Sequence, residues 1–366
     1  MDNGKKMLIL ELGGIGDVIL SLPAIEAILT AYKDCCVTVL TTSITGQIIG
    51  SLHQKGFDNF KIITTDALAE NTFACWWKLL KALRRQRFSI VIDLSAIETR
   101  KAAVKRYFFM KAMNAGELVG RDTDGRGWAF TKKAPEALTS PEHEVERKIR
   151  VAEMLGLKSS QTIPGIVTSR DEKEKAAAIL SGFSAGKGLL ACINPGAYRP
   201  ARMWPEENFR EIISFLISDM SAKVVLIGGG RERDIVERLA SSFPAERIRT
   251  FVDIPLLQLA AVIERMTIII TNDSGPMHIA AALNVPTVAM FGQTNLHRYH
   301  PCMDNSRYIA LKSKVDLCGS FSFENPMSEC RRHDCAGNIC MASITVDEVR
   351  EAARSLLSRL GFGSVI

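Results

Sequence analysis

Met7-Leu8-Ile9-Leu10-Glu11-Leu12-Gly13-Gly14-Ile15-Gly16-Asp17 passes from an apolar run into a glycine turn and on into a helical pattern. A short apolar run that ends in glycines and leads into helical spacing is how a buried parallel strand hands over to a helix. The pattern repeats at Val37–Thr41, Lys61–Thr64 and Ile90–Leu94, each followed by an amphipathic stretch. After a helix around Pro141–Leu155, the segment Lys158–Val167 loses its periodicity, and the alternation then restarts. Strands are expected at Leu189–Asn194, Lys223–Ile227, Thr267–Thr271 and Thr287–Phe291, with helices near Pro205–Met220, Arg233–Ser241, Pro255–Arg265 and His278–Leu283. This is an α/β chain of two Rossmann-like, doubly wound domains, residues 1–160 and 161–366. Two such domains facing each other place a ligand cleft between the carboxyl ends of their sheets. The last helix, about 345–361, follows no strand and is expected to be free to pack back on the first domain.

Composition narrows the function. A chain of 366 residues with 47% hydrophobic content can bury two cores. Its net charge of +6 favours phosphates or an acidic membrane surface and is too small for a nucleic-acid binder. Nine cysteines without regular pairing fit a reducing cytoplasm better than a disulfide framework. The lysines before the first apolar run mimic a signal peptide, but Glu11 and the glycines interrupt that run. No stretch approaches the roughly 20 apolar residues of a membrane span, so membrane contact is expected to be peripheral.

Four turns carry candidate chemistry. In the first, the glycines let backbone N–H groups approach an anion or a substrate oxygen, and Asp17 is either a helix cap or a functional carboxylate. A dinucleotide fingerprint requires Gly-x-Gly-x-x-Gly and an acid ending the second strand; here that strand ends Thr41-Thr42-Ser43. The second is Asn194-Pro195-Gly196-Ala197-Tyr198-Arg199-Pro200-Ala201-Arg202-Met203-Trp204-Pro205, whose arginines suit a diphosphate unless the loop is merely solvated. The third, Gly228-Gly229-Gly230-Arg231-Glu232, sets a carboxylate where it accepts from ribose hydroxyls or only complements a helix dipole. The fourth, Asn272-Asp273-Ser274-Gly275-Pro276-Met277-His278, combines a strand-to-helix anion site with a histidine donor, or with a structural buried histidine.

Other features argue less. Asp122-Thr123-Asp124 resembles a metal-binding Asp-x-Asp but reads as a surface turn. Cys318, Cys330, Cys335 and Cys340 lack a close Cys-x-x-Cys pair, Gly182–Gly188 lacks the full phosphate-loop spacing, and His143-Glu144 lacks a second histidine. Arg100–Met113 sets Arg100, Lys101, Lys105, Arg106 and Lys111 beside Tyr107, Phe108 and Phe109, either a phosphoglycolipid contact or a solvated basic face.

The four turns in this order resemble glycosyltransferase family 9, the ADP-heptose:lipopolysaccharide heptosyltransferases, over nearly the whole chain. The resemblance implies a GT-B fold, an inverting and metal-independent transfer without cofactor, and cytoplasmic work with peripheral contact at the inner membrane. Leu12–Asp17 with Ser21-Leu22-Pro23-Ala24 is similar to the family's turn with the catalytic base, which makes Asp17 the base and Gly14 and Gly16 acceptor-side. Asn194–Ala197 with Arg202-x-Trp204-Pro205 resembles the donor loop, where the family commonly has Lys at Arg202. Gly228-Gly229-x-x-Glu232 resembles the ribose turn, and Asp273-Ser274-Gly275-Pro276-x-His278 the diphosphate signature. The resemblance thus assigns Gly196, Ala197, Arg202, Glu232, Asp273, Ser274, Gly275, Pro276 and His278 to the donor, with Ile254 near the adenine. Asp93-Leu94 followed by Arg100 resembles the acceptor segment, with Lys101 and Lys105 on the same helix. The implied partners are a nucleotide diphosphate sugar, ADP-heptose, and a lipopolysaccharide core acceptor. A nucleotide-sugar epimerase of similar architecture and a non-catalytic nucleotide-sugar or glycolipid binder are the alternatives.

Overall fold

The structure, a computed structural model, describes residues 5–65, 73–159, 161–183, 188–315 and 338–362. They divide into two compact units, Met1–Val167 and Thr168–Ile366. The division falls at the end of the aperiodic segment Lys158–Val167. Thr168 already bonds Glu264 at 2.5 Å, and Ser169 caps the helix Arg170–Ile179 of the second unit.

The first unit holds β1 (Lys6–Leu10), β2 (Cys36–Thr41), β3 (Phe60–Thr64), β4 (Ile90–Asp93), β5 (Glu117–Thr123) and β6 (Lys132–Glu136), in the order β3-β2-β1-β4-β5-β6. The second holds β7 (Leu190–Asn194), β8 (Lys223–Gly228), β9 (Ile248–Val252), β10 (Ile268–Asn272), β11 (Thr287–Phe291) and β12 (Tyr308–Lys312), in the order β12-β11-β10-β7-β8-β9. Every ladder among the described residues is parallel. Read from its first strand, each sheet has the same doubly wound order, with the winding reversed between its first and fourth strands.

The central strands β1, β4, β7, β10 and β11 are buried almost throughout, as parallel strands covered on both faces must be. In the first unit Leu8, Leu10 and Val91 pack with Leu83, Met110 and Phe130. In the second, helix Glu206–Ser218 buries Phe209, Ile212, Ile213 and Leu216, one stripe at helical spacing, against Ile193, Leu226 and Ile270.

The last helix, Val346–Arg359, packs one face within the second unit. Its apolar face, Val349, Ala353, Leu356 and Leu357, belongs to the same core as Phe209 and Phe215 in the second unit. A capping box starts the helix: Thr345 N–H donates to Glu348 Oε2 at 2.8 Å, and Glu348 N–H to Thr345 Oγ1 at 3.2 Å.

The strands β5, β6, β9 and β12 were not expected. β5 carries the charged residues Arg121 and Asp122, β6 has Pro135 at a sheet edge where proline is tolerated, and β9 and β12 are half-buried edges. Asp122-Thr123-Asp124 is accordingly the end of β5 rather than a surface turn throughout. Thr123 is fully buried, Asp122 Oδ1 accepts the Gly127 N–H at 2.6 Å, and only Asp124 has turn geometry, at φ 46°.

Candidate functional site

In the first unit, Leu10 of β1 lies in register with Asp93 of β4, so these two strands flank the point where the winding reverses. The Gly13–Asp17 turn leaves β1 at that point and opens helix Ile15–Ala31. Asp17 is half-buried in the first helical turn, and its Oδ2 accepts the Gly14 N–H at 3.0 Å. The carboxylate thus caps the helix, and its negative charge complements the helix dipole. Its Oδ1 takes no hydrogen bond from the described residues, so one oxygen remains to accept a proton. Gly13 has to be glycine, because a Cβ there would sit 2.4 Å from Asp17 Cβ. Gly14 is exposed and Gly16 half-buried beside it.

Asp93 is fully buried, with one oxygen hydrogen-bonded and the other held by an ion pair. Its Oδ1 accepts the Ser95 N–H at 3.0 Å, and its Oδ2 lies 2.8 Å from Arg106 NH1. Of the basic residues on helix Arg100–Met113, Arg106 is therefore committed to the fold, whereas Arg100, Lys101, Lys105 and Lys111 are exposed. Phe108 is 68% exposed on the same helix, while Phe109 packs edge-on to Trp76.

The second unit brings its three turns together at the carboxyl edge of its sheet. Gly196 packs so closely against Glu232 that a Cβ would lie 2.3 Å from Glu232 Cγ, and Tyr198 lies under the Arg231 guanidinium at 5.6 Å. Glu232 Oε2 accepts the Gly229 N–H at 3.0 Å, so it caps its turn as Asp17 caps the first. Arg202 NH1 lies 3.1 Å from Asp273 Oδ2, a contact of charge that fixes the guanidinium beside the fourth turn. Ser274 precedes helix Gly275–Ala282, with Pro276 in its first turn and His278 buried at 6% exposure. Ala197 is buried, and Ile254 follows Asp253, whose N–H donates to the Gly228 carbonyl at 3.0 Å.

Two asparagines that had no assigned role hold this arrangement. Asn194 Nδ2 donates to Gly196 O at 3.2 Å, Thr271 Oγ1 at 3.0 Å and Ser274 Oγ at 2.8 Å. Asn272 Nδ2 donates to Pro195 O at 2.9 Å, and its Oδ1 accepts the Trp204 N–H at 3.0 Å. Both are buried at the ends of β7 and β10, and a polar residue closing an apolar strand was the available signal. The segment before the last helix clasps the same loop. Asn338 Nδ2 donates to Pro200 O at 2.7 Å and Met203 O at 3.0 Å, and Trp204 Nε1 donates to Ile344 O at 2.8 Å.

Among the described residues no group of three or more His, Cys, Asp or Glu is placed to hold a metal ion. Cys318, Cys330 and Cys335 lie outside the described residues, as do residues 184–187 of the Gly182–Gly188 segment; Cys340 is buried. No described helix is long and apolar enough to cross a membrane.

A family model described as glycosyltransferase family 9 (heptosyltransferase) matches residues 76–320. Lipopolysaccharide heptosyltransferase 3 of Escherichia coli is 26% identical over 302 residues, covering 79% of this chain and 84% of the relative. The solved glycosyl transferase family 9 structure from Veillonella parvula DSM 2008 has a TM-score of 0.75 at 22% identity and covers 97% of both chains. The structure of E. coli ADP-heptose lps heptosyltransferase II has a TM-score of 0.70 at 20% identity, covering 97% of this chain and 99% of that one. These structural likenesses are of fold, and they identify the two-domain architecture as GT-B.

Proposed function

The chain belongs to glycosyltransferase family 9 (heptosyltransferase), and from that membership we propose that it transfers a heptose from ADP-heptose to a lipopolysaccharide inner-core acceptor with inversion. The acceptor hydroxyl attacks the anomeric carbon, its proton passes to the Asp17 carboxylate, and the bond to the departing ADP breaks. Arg202 and the backbone N–H groups at the start of helix Gly275–Ala282 stabilise the diphosphate as it gains charge, with His278 as a further donor. Glu232 accepts from the ribose hydroxyls, Gly196 and Ala197 line the donor loop, and Ile254 lies toward the adenine. Transfer requires no metal. The reaction takes place in the cytoplasm with peripheral contact at the inner membrane.

The observation that carries this reading is the convergence of three turns of the second unit, Asn194–Pro205, Gly228–Glu232 and Asn272–His278, at one sheet edge. Relatives named for lipopolysaccharide and ADP-heptose support the donor and acceptor. Arg202→Ala and Glu232→Ala are each expected to weaken ADP binding by about 1–3 kcal/mol, since each removes a charge-assisted contact. Arg202→Ala should be the worse, because it also leaves the buried Asp273 carboxylate facing the phosphates without its cation. Calorimetric titration with ADP measures both, and unchanged affinity in both variants contradicts the donor assignment.

The exposed cations Arg100, Lys101 and Lys105 are assigned to acceptor phosphates. Lys101→Glu/Lys105→Glu is expected to raise acceptor KM several-fold while ADP affinity stays constant. Steady-state kinetics over acceptor concentration checks this; an unchanged KM returns the helix to a solvated face.

A further inference from the structure

We propose that the buried pair Lys148–Glu11 positions the turn that carries Asp17, a role that rests on the reading of Asp17 as the base. Glu11 follows β1 directly and is 1% exposed. Its Oε1 accepts the Gly13 N–H at 3.1 Å, while its Oε2 accepts from Ser21 Oγ and lies 2.6 Å from Lys148 Nζ. Lys148 comes from helix Glu144–Glu153, is 1% exposed, and also donates to Ser21 Oγ at 2.8 Å. Ser21 stands one helical turn beyond Asp17, with its Oγ 2.8 Å from the Asp17 carbonyl. The hydroxyl has one proton, which serves either Glu11 or that carbonyl, while it accepts from Lys148 throughout. The network therefore grips the turn at both ends, at the N–H of Gly13 and at the carbonyl of Asp17.

Stability alone gives little reason for such a pair. Two buried charges lose their hydration, and an apolar pair of similar volume is often as stable or more so. A turn with three glycines among four residues is, however, free in its backbone, and Gly13 cannot take a side chain to stiffen it. A carboxylate fixed at the end of β1 and paired with Lys148 of helix Glu144–Glu153 supplies the missing constraint. Misplacing a reacting group by about 1 Å costs on the order of 100-fold in rate.

Two charge-free double variants separate the hydrogen bond from the charge. Glu11→Gln/Lys148→Met keeps an acceptor for the Gly13 N–H, Glu11→Met/Lys148→Met removes it, and neither leaves an unpaired buried charge. With ADP-heptose and acceptor, both should share a donor KM, while kcat is about 10- to 100-fold lower for the second. Adding Asp17→Asn to each should shrink that gap below about threefold, because the group whose position it sets is gone. Equal kcat in the two double variants overturns the proposal, and so does a gap that persists undiminished alongside Asp17→Asn. If Glu11→Met does not fold, Lys148→Arg takes its place. A lower kcat at unchanged donor KM is then expected, and wild-type kcat overturns the proposal. Asp17→Asn alone, assayed first, tests the underlying reading separately: near-normal turnover there removes Asp17 from the chemistry and this proposal with it.

Discussion

Asp17→Asn is expected to lower kcat by about 10²–10⁴-fold while ADP affinity and folding stay close to wild type. The capping contact survives the change, because the amide oxygen of asparagine accepts the Gly14 N–H as Oδ2 does, and both residues rank among the best caps. What is lost is the other oxygen, which has no hydrogen bond from the described residues and in the carboxylate can take up a proton. A sugar hydroxyl is far too weak an acid to ionise beforehand, so proton transfer accompanies attack on the anomeric carbon and the loss falls on the transition state. Single-turnover transfer, with ADP affinity measured alongside, checks the expectation. Turnover near wild type would reduce Asp17 to a cap.

Arg121→Met is expected to cost about 3–5 kcal/mol of stability, the penalty for leaving buried charges without their partner. Arg121 is fully buried in β5. Its Nε donates to Glu136 Oε2 at 2.9 Å, its NH1 pairs with Glu144 Oε1, and NH1 also donates to the Leu94 carbonyl at 3.3 Å. Both carboxylates are buried almost as deeply, and Arg147 lies 3.7 Å from Glu136 Oε2, too far to replace the lost contacts. Adding Glu144→Leu should recover part of the loss, since Glu136 keeps Thr123 Oγ1 and the Arg147 charge. Urea denaturation of the single and double variants measures both effects. A loss below about 1 kcal/mol in Arg121→Met would contradict the account of the cluster.

The same residue explains where sequence and structure part. β1, β4, β7, β10 and β11 are continuous apolar runs, so their positions were readable, and with them the glycine and polar turns that follow. β5 was not. Its sequence Glu117-Leu-Val-Gly-Arg-Asp-Thr123 is polar in its second half, and Arg121 can be buried there only because Glu136 and Glu144 arrive from later elements. Candidate site residues were legible where chemistry and local geometry coincide in one turn: Asp17, Arg202, Glu232 and Asp273–His278. Their supports were not. Glu11 looks like the ragged end of a strand, and its partner Lys148 is 137 residues away on a helix of ordinary charge pattern. Asn338 likewise reaches the donor loop across 138 residues. The packing of the last helix is illegible for the same reason, since the stripe Val349–Leu357 does not say which core it fills.

Acceptor-dependent release of ADP from ADP-heptose by the purified protein, in excess EDTA, tests the central claim most directly. The account predicts that ADP appears at a substantial rate only when a heptose-deficient lipopolysaccharide acceptor is present, and that the acceptor gains one heptose for each ADP released. Release that is indifferent to acceptor, that requires added magnesium or manganese, or that occurs only from another nucleotide sugar would contradict it.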